Sequence, residues 1–94
     1  MGLSKVEYLI LSLLRSGTEM YGLEMIRDSA GQLKTGTIYV TLGRMREKKY
    51  VTSRQSEQQN YPGMPRRLYK ISGVGQAVLS AAEREHSAVH WGYA

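Results

Sequence analysis

Two short stretches constrain this chain most: YVTSRQ at 50–55 and RRLYKIS at 66–72, alternating and rich in β-forming residues, in a chain whose other patterned segments read as helices. Between them lies SEQQNYPGMP, whose prolines and glycine rule out regular structure and require a loop. Strand, loop and strand make a β-hairpin. Such a hairpin is marginal on its own in water and has to lie on the helices. At 94 residues the chain has room for one domain with a thin core.

The helices follow from spacing and caps. Ser4 followed by Glu7 is a capping-box pattern. From there Val6, Leu9, Ile10, Leu13 and Leu14 share one face, with Tyr8 and Leu11 on the opposite one, so the helix is expected to have two neighbours. Gly17 suits its end. A second, short helix is expected from about Glu19 or Tyr21 to Ser29, weakened by Gly22. A third runs from about Thr35 or Thr37 to Lys48, with Ile38, Leu42 and Met45 at i, i+4 and i+7 facing the core. Ser72 caps a last helix of roughly 74–89, whose stripe of Val74, Ala77, Val78, Ala81, Ala82, Ala88 and Val89 either covers the domain's own core or packs on a second subunit. The order α-α-α-β-β-α predicts a mainly α fold with a two-stranded β wing: a winged helix-turn-helix spanning 1–94 as a single domain. In that arrangement the third helix enters the major groove of double-stranded DNA.

Charge points the same way. Residues 34–70 hold nine basic groups (Lys34, Arg44, Arg46, Lys48, Lys49, Arg54, Arg66, Arg67, Lys70) against two acids, Glu47 and Glu57; the rest of the chain holds four basic and six acidic groups, so the formal +5 is the balance of +7 and −2. A charge excess confined to one contiguous part of a fold is expected of polyanion binding. There is no cysteine, hence no disulfide or thiolate chemistry. No apolar run reaches a membrane span, and Lys5 leads straight into an amphipathic segment rather than a signal-peptide layout, so a cytoplasmic protein is expected. His86 and His90 share a helix face, but no third ligand beyond Glu83 is evident, so no metal is expected. No nucleophile motif or phosphate loop is visible, and neither a cofactor nor an enzymatic activity is predicted.

The stretches YGLEMIRD, GTIYVTLGRMREKKYV and GMPRRLYKISGVGQ together resemble the PadR family of winged helix-turn-helix transcriptional regulators, over roughly residues 4–82. The chain departs from the family pattern in three places: Val40 stands where proline is common, Lys49 where a glycine often ends the recognition helix, and Arg46 where an acid is common. A lysine at 49 implies either left-handed strain or a different turn. The resemblance implies a homodimer built by the first helix (about 4–15) and the last (about 73–90), drawing on Tyr8, Leu11 and the small residues of the last helix. Such a dimer would read a near-palindrome with half-sites about one turn, roughly 34 Å, apart. Base-edge contacts are expected from Thr37, Val40, Thr41 and Arg44; phosphate contacts from Lys34, Tyr39, Lys48, Lys49, Arg54, Arg66, Arg67 and Lys70. Some small relatives bind planar aromatic compounds between subunits, stacked on a tryptophan, and the resemblance implies that part for Trp91, with Tyr8 nearby. The function expected is transcriptional regulation, most often repression. The alternative is a DNA-scaffolding or partition protein that coats repeated sites with the same winged helix. A winged helix serving protein contacts alone is a third reading, against which the +7 segment argues.

Overall fold

The computed structural model describes residues 2–56 and 66–91, the last six of these by backbone alone. The elements run α1 (Lys5–Leu13), β1 (Met20–Tyr21), α2 (Gly22–Asp28), α3 (Thr35–Glu47), β2 (Val51–Gln55), β3 (Arg67–Ile71) and α4 (Gly73–Trp91). This is the expected winged helix-turn-helix order with one addition, the two-residue β1.

Local chemistry fixes most of the boundaries. The Ser4 hydroxyl accepts from the Glu7 N–H at 3.1 Å, and the Glu7 carboxylate accepts from the Ser4 N–H at 2.9 Å, closing the capping box that starts α1. Glu24 accepts from the Tyr21 N–H at 2.8 Å at the start of α2. The turn into α3 runs through Ala30 and Gly31, at φ 55° and 83°. It is tied by Ser29, whose buried hydroxyl donates to the Ile26 carbonyl and accepts from the Leu33 N–H. At the end of α3, the Lys49 N–H donates to the Arg46 carbonyl and the Tyr50 N–H to the Met45 carbonyl, the paired bonds of a Schellman motif. That motif needs a left-handed residue, and Lys49 supplies it at φ 69°, settling the choice left open by the sequence in favour of the strained turn.

The sheet is antiparallel in the order β1-β3-β2, with Met20 opposite Tyr69, Ser53 opposite Tyr69 on the other side, and Val51 opposite Ile71. β1 falls where the second helix was expected to begin, because Met20 and Tyr21 are extended and pair with β3 before the chain turns into α2. Val51, Tyr69 and Ile71 carry the sheet's inner face into the core, where they join Ile10, Leu14, Met25, Leu33, Leu79 and the predicted triplet Ile38, Leu42 and Met45, all three fully buried.

Leu11 corrects the reading of α1. Expected with Tyr8 on a subunit-facing side, it is fully buried in the protomer's own core, while Val6, Leu9 and Leu13 are only partly covered. α1 touches α2, α3 and α4, so its inward ridge is broader than one stripe and includes Leu11. In α4, Ser72 accepts from the Gly75 N–H at 2.9 Å as predicted for a cap. The inward residues of α4 are Gly75 and Leu79, and Val74, Ala77 and Ala81 are left exposed. Gly75 is required by packing: a Cβ there would collide with the Tyr50 carbonyl. Among the described residues no helix is long and apolar enough to cross a membrane.

Candidate nucleic-acid interface

α3 is anchored by Ile38, Leu42 and Met45, which leaves its other side open. Thr37 and Arg44 are exposed there, Val40 is 56% exposed and Tyr39 47%. Thr41 lies half-buried on the flank and donates its hydroxyl to the Thr37 carbonyl at 3.1 Å, which leaves its oxygen lone pairs and methyl for an outside partner. The Tyr39 ring lies against the first turn of α2. A Cβ on Gly22 would stand 2.7–2.9 Å from Tyr39 ring atoms and its hydroxyl, so the absence of a side chain at Gly22 is what seats the ring. The outer face of α3 thus presents an exposed valine beside an exposed tyrosine and arginine, with no covering element among the described residues.

The cations sort into two groups. Lys48 donates to Glu7 at 2.7 Å, bridging α3 to α1, and lies over the Tyr50 ring. Arg54 makes a two-pronged contact with Glu19, both bonds 2.8 Å. These two expected phosphate contacts are thus engaged in holding the fold together. The Arg54 guanidinium holds the Glu19 carboxyl below its usual range, and the bond to Glu7 pushes the Lys48 ammonium up. In Glu7, burial pushes the carboxyl up, but the hydrogen bonds from Lys48 and Ser4 outweigh it and the net shift is downward. Lys34, Arg44, Arg46, Lys49, Arg67 and Lys70 form no ion pair among the described residues; Lys34, Arg44, Arg46, Lys49 and Lys70 are exposed.

On the wing, Arg66 stacks over the Tyr21 ring at 5.2 Å, while Tyr21 also bonds Ser56 through its hydroxyl. Arg67 points to the opposite face of the sheet and donates to Ser53 at 3.2 Å. There it joins Arg46 and Lys49 along a cleft between the end of α3, β2 and the start of α4. Burial pushes the Tyr69 hydroxyl pKa up in this region, with Arg67 and Arg46 pulling the other way, which places both guanidinium groups within electrostatic reach of one ring. Arg44 and the cleft cations therefore lie together on and beside α3, while Arg66 occupies the wing's far face. Spacing alone does not single out Arg46 as a site residue, although its replacement of an expected acid is the available signal. Gly43, which the sequence reading does not single out, floors a depression on the open side of α3 rimmed by Tyr39, Val40, Arg44, Arg46 and Glu47. Tyr8 is half-buried and lines a separate cleft with Leu3, Lys5, Ala82 and Glu85. The side chain of Trp91 lies outside the described residues.

Three helices with the third presented outward, followed by a hairpin that flanks it, define a winged helix-turn-helix protein. The model of the transcriptional regulator PadR-like family matches residues 10–81, and the chain belongs to that family. It is similar in structure to a PadR family transcription regulator from Clostridium difficile R20291 (28% identity, TM-score 0.77, covering 93% of this chain and 92% of that one). It is also similar to a PadR-like transcription factor from Bacteroides fragilis (23% identity, TM-score 0.81, 94% and 85%). A third similar structure is Bacillus subtilis PadR in complex with operator DNA, at 25% identity and TM-score 0.69, with 82% of this chain and 45% of that chain covered. Comparison with curated protein sequences finds no match.

Proposed function

We propose that the protein is a sequence-specific transcriptional repressor that binds a near-palindromic operator as a homodimer, with α3 in the major groove and the wing on the sugar-phosphate backbone. The observation that carries this is the open face of α3. Thr37, Val40 and Arg44 stand clear of the protomer, a helix fits the roughly 12 Å major groove, and their chemistry matches base edges: arginine for guanine, valine and threonine methyls for thymine. Lys34, Lys49, Arg66, Arg67 and Lys70, with the hydroxyl of Tyr39, then supply phosphate contacts, and Arg46 joins them from the cleft. The similarity to a regulator solved with its operator supports the reading. Occupying promoter DNA excludes polymerase, which is how such a protein represses.

The dimer rests on two features of the α1–α4 side. Ala77 and Ala81 are exposed small residues on α4, and Tyr8 borders a cleft where that helix meets α1. The same cleft is where a planar aromatic effector would lodge, shifting the spacing of the two recognition helices. Selection of bound duplexes from a random pool tests the whole proposal. It predicts an enriched sequence of two inverted half-sites about 34 Å apart, with log affinity falling linearly against log salt. Recovery of no preferred sequence, or no retention of DNA at low salt, refutes it.

A further inference from the structure

We propose that Gly43 determines base specificity: it is a notch in α3 that seats the 5-methyl group of a thymine on the floor of the major groove, against the side chain of Val40. The inference rests on the major-groove placement of α3 proposed above. Glycine inside a helix is unfavourable relative to alanine, so a mid-helix glycine calls for a compensating contact. Gly22 and Gly75 have one, because a Cβ at either would strike the Tyr39 ring or the Tyr50 carbonyl. At Gly43 a Cβ would meet nothing within 4 Å among the described residues. The protomer gains no packing from the missing side chain, and the empty space opens outward, on the face that carries Val40 and Arg44.

The rim tells what the notch can take. Val40 is 56% exposed and supplies an apolar wall; Tyr39, Arg44, Arg46 and Glu47 surround it with polar ends. The floor is helical backbone without a side-chain donor or acceptor. Glu47 on the rim disfavours a phosphate. Among the groups that the major groove offers, one is apolar, the thymine methyl, and it is small enough for a space one side chain wide. Hydrogen-bonding edges of neighbouring bases fall to Arg44 at the rim.

The test uses an operator selected from a random pool, with each half-site thymine replaced in turn by deoxyuridine, which removes the methyl and nothing else. At one thymine position, replacement in a single half-site is expected to weaken wild-type binding about fourfold, the worth of one buried methyl, and replacement in both half-sites about fifteenfold. Gly43→Ala is expected to raise the melting temperature by about 4–8 °C, to weaken binding to the selected operator about tenfold, and to be indifferent to that same uracil. Wild-type binding unaffected by every uracil replacement overturns the inference, as does a Gly43→Ala protein with unchanged affinity and an unchanged uracil profile. Both results leave the DNA-binding reading standing. Failure of the wild-type protein to select any duplex removes that reading, and this inference with it.

Discussion

Replacing Lys49 by glycine should make the protein more stable and a weaker DNA binder at once. Lys49 sits at φ 69°, where the Schellman motif at the end of α3 needs a left-handed residue. For a residue with a Cβ that conformation costs about 1–2 kcal/mol. Glycine removes the cost but adds freedom to the unfolded chain, worth about 0.4–1 kcal/mol in the other direction. The net gain is about 0.5–1 kcal/mol, or roughly 2–8 °C in melting temperature for a domain of this size. Lys49 is exposed and has no acid partner among the described residues, so no ion pair disappears to offset the gain. Lys49→Ala is the control. It removes the same charge and keeps the same strain, so its melting temperature should stay near wild type while its DNA affinity and salt slope fall as they do for glycine. Thermal melts followed by circular dichroism, at one fixed protein concentration because a dimer's midpoint depends on it, read the first effect; binding titrations across a salt series read the second. Equal melting temperatures for the glycine and alanine variants would refute the strain argument. An unchanged salt slope in both would remove Lys49 from the backbone contacts.

Arg66→Ala with Arg67→Ala should weaken binding to all sequences alike and flatten the salt slope by about 0.9 for each phosphate no longer neutralised; an unaltered slope takes the wing off the DNA. Glu7→Gln should cost about 1 kcal/mol at neutral pH, read as a lower melting temperature. The folded carboxyl is shifted below its ordinary 4.5, so its contribution is present above that pH and disappears as the pH falls through the folded value. The gap between wild type and variant should therefore close on acidification, and a gap that persists at pH 2 contradicts the Lys48 pairing. Gly22→Ala should push the Tyr39 ring off its seat, costing about 1 kcal/mol of stability and lowering DNA affinity; a variant with wild-type values for both leaves Tyr39 without a role in positioning.

What could be read from the sequence was local. The capping box of Ser4 and Glu7, the buried triplet Ile38, Leu42 and Met45 and the Ser72 cap each depend on residues within one or two helical turns and could be inferred from spacing. The turn at Lys49 is equally local, but it is the family resemblance that draws notice to it, with strain and a different turn both left open. What could not be read was decided by partners far along the chain. β1 is two residues long and exists because Met20 and Tyr21 pair with Tyr69 and Leu68. Leu11 is buried because three other helices surround α1. Lys48 and Arg54 look like phosphate ligands by charge alone, and only the tertiary structure shows Glu7 and Glu19 beside them, 41 and 35 residues away in sequence. Gly43 carries no signal of its own in the sequence, because only the structure shows that no packing contact accounts for it, as one does for Gly22 and Gly75.

Those distant acids sharpen the functional reading. A basic segment is weak evidence for nucleic acid so long as any of its charges could be structural. Here the acids available outside that segment single out particular cations: Glu7 takes Lys48, Glu19 takes Arg54, and Asp28 and Glu83 take Arg27 and Arg15, which lie outside it. Each segment cation so paired joins α3 or β2 to the rest of the fold. The cations without an ion pair among the described residues within 34–70 gather on the open side of α3, on the Arg46–Lys49–Arg67 cleft and along β3. Folding alone would have favoured neutralising them, since like charges close together repel. A surface kept cationic at that cost, with a strained lysine at its edge and an unsupported glycine at its centre, has a stability deficit at three adjacent places. Binding a polyanion offsets the first two, and a groove floor that fills the notch offsets the third. The three should therefore respond together. Lys49→Gly and Gly43→Ala, which relieve the strain and the glycine, should melt higher and bind DNA less well, and loss of a cleft cation should weaken binding, whereas comparable changes at Lys5 or Arg84, on α1 and α4, should leave DNA binding where it was.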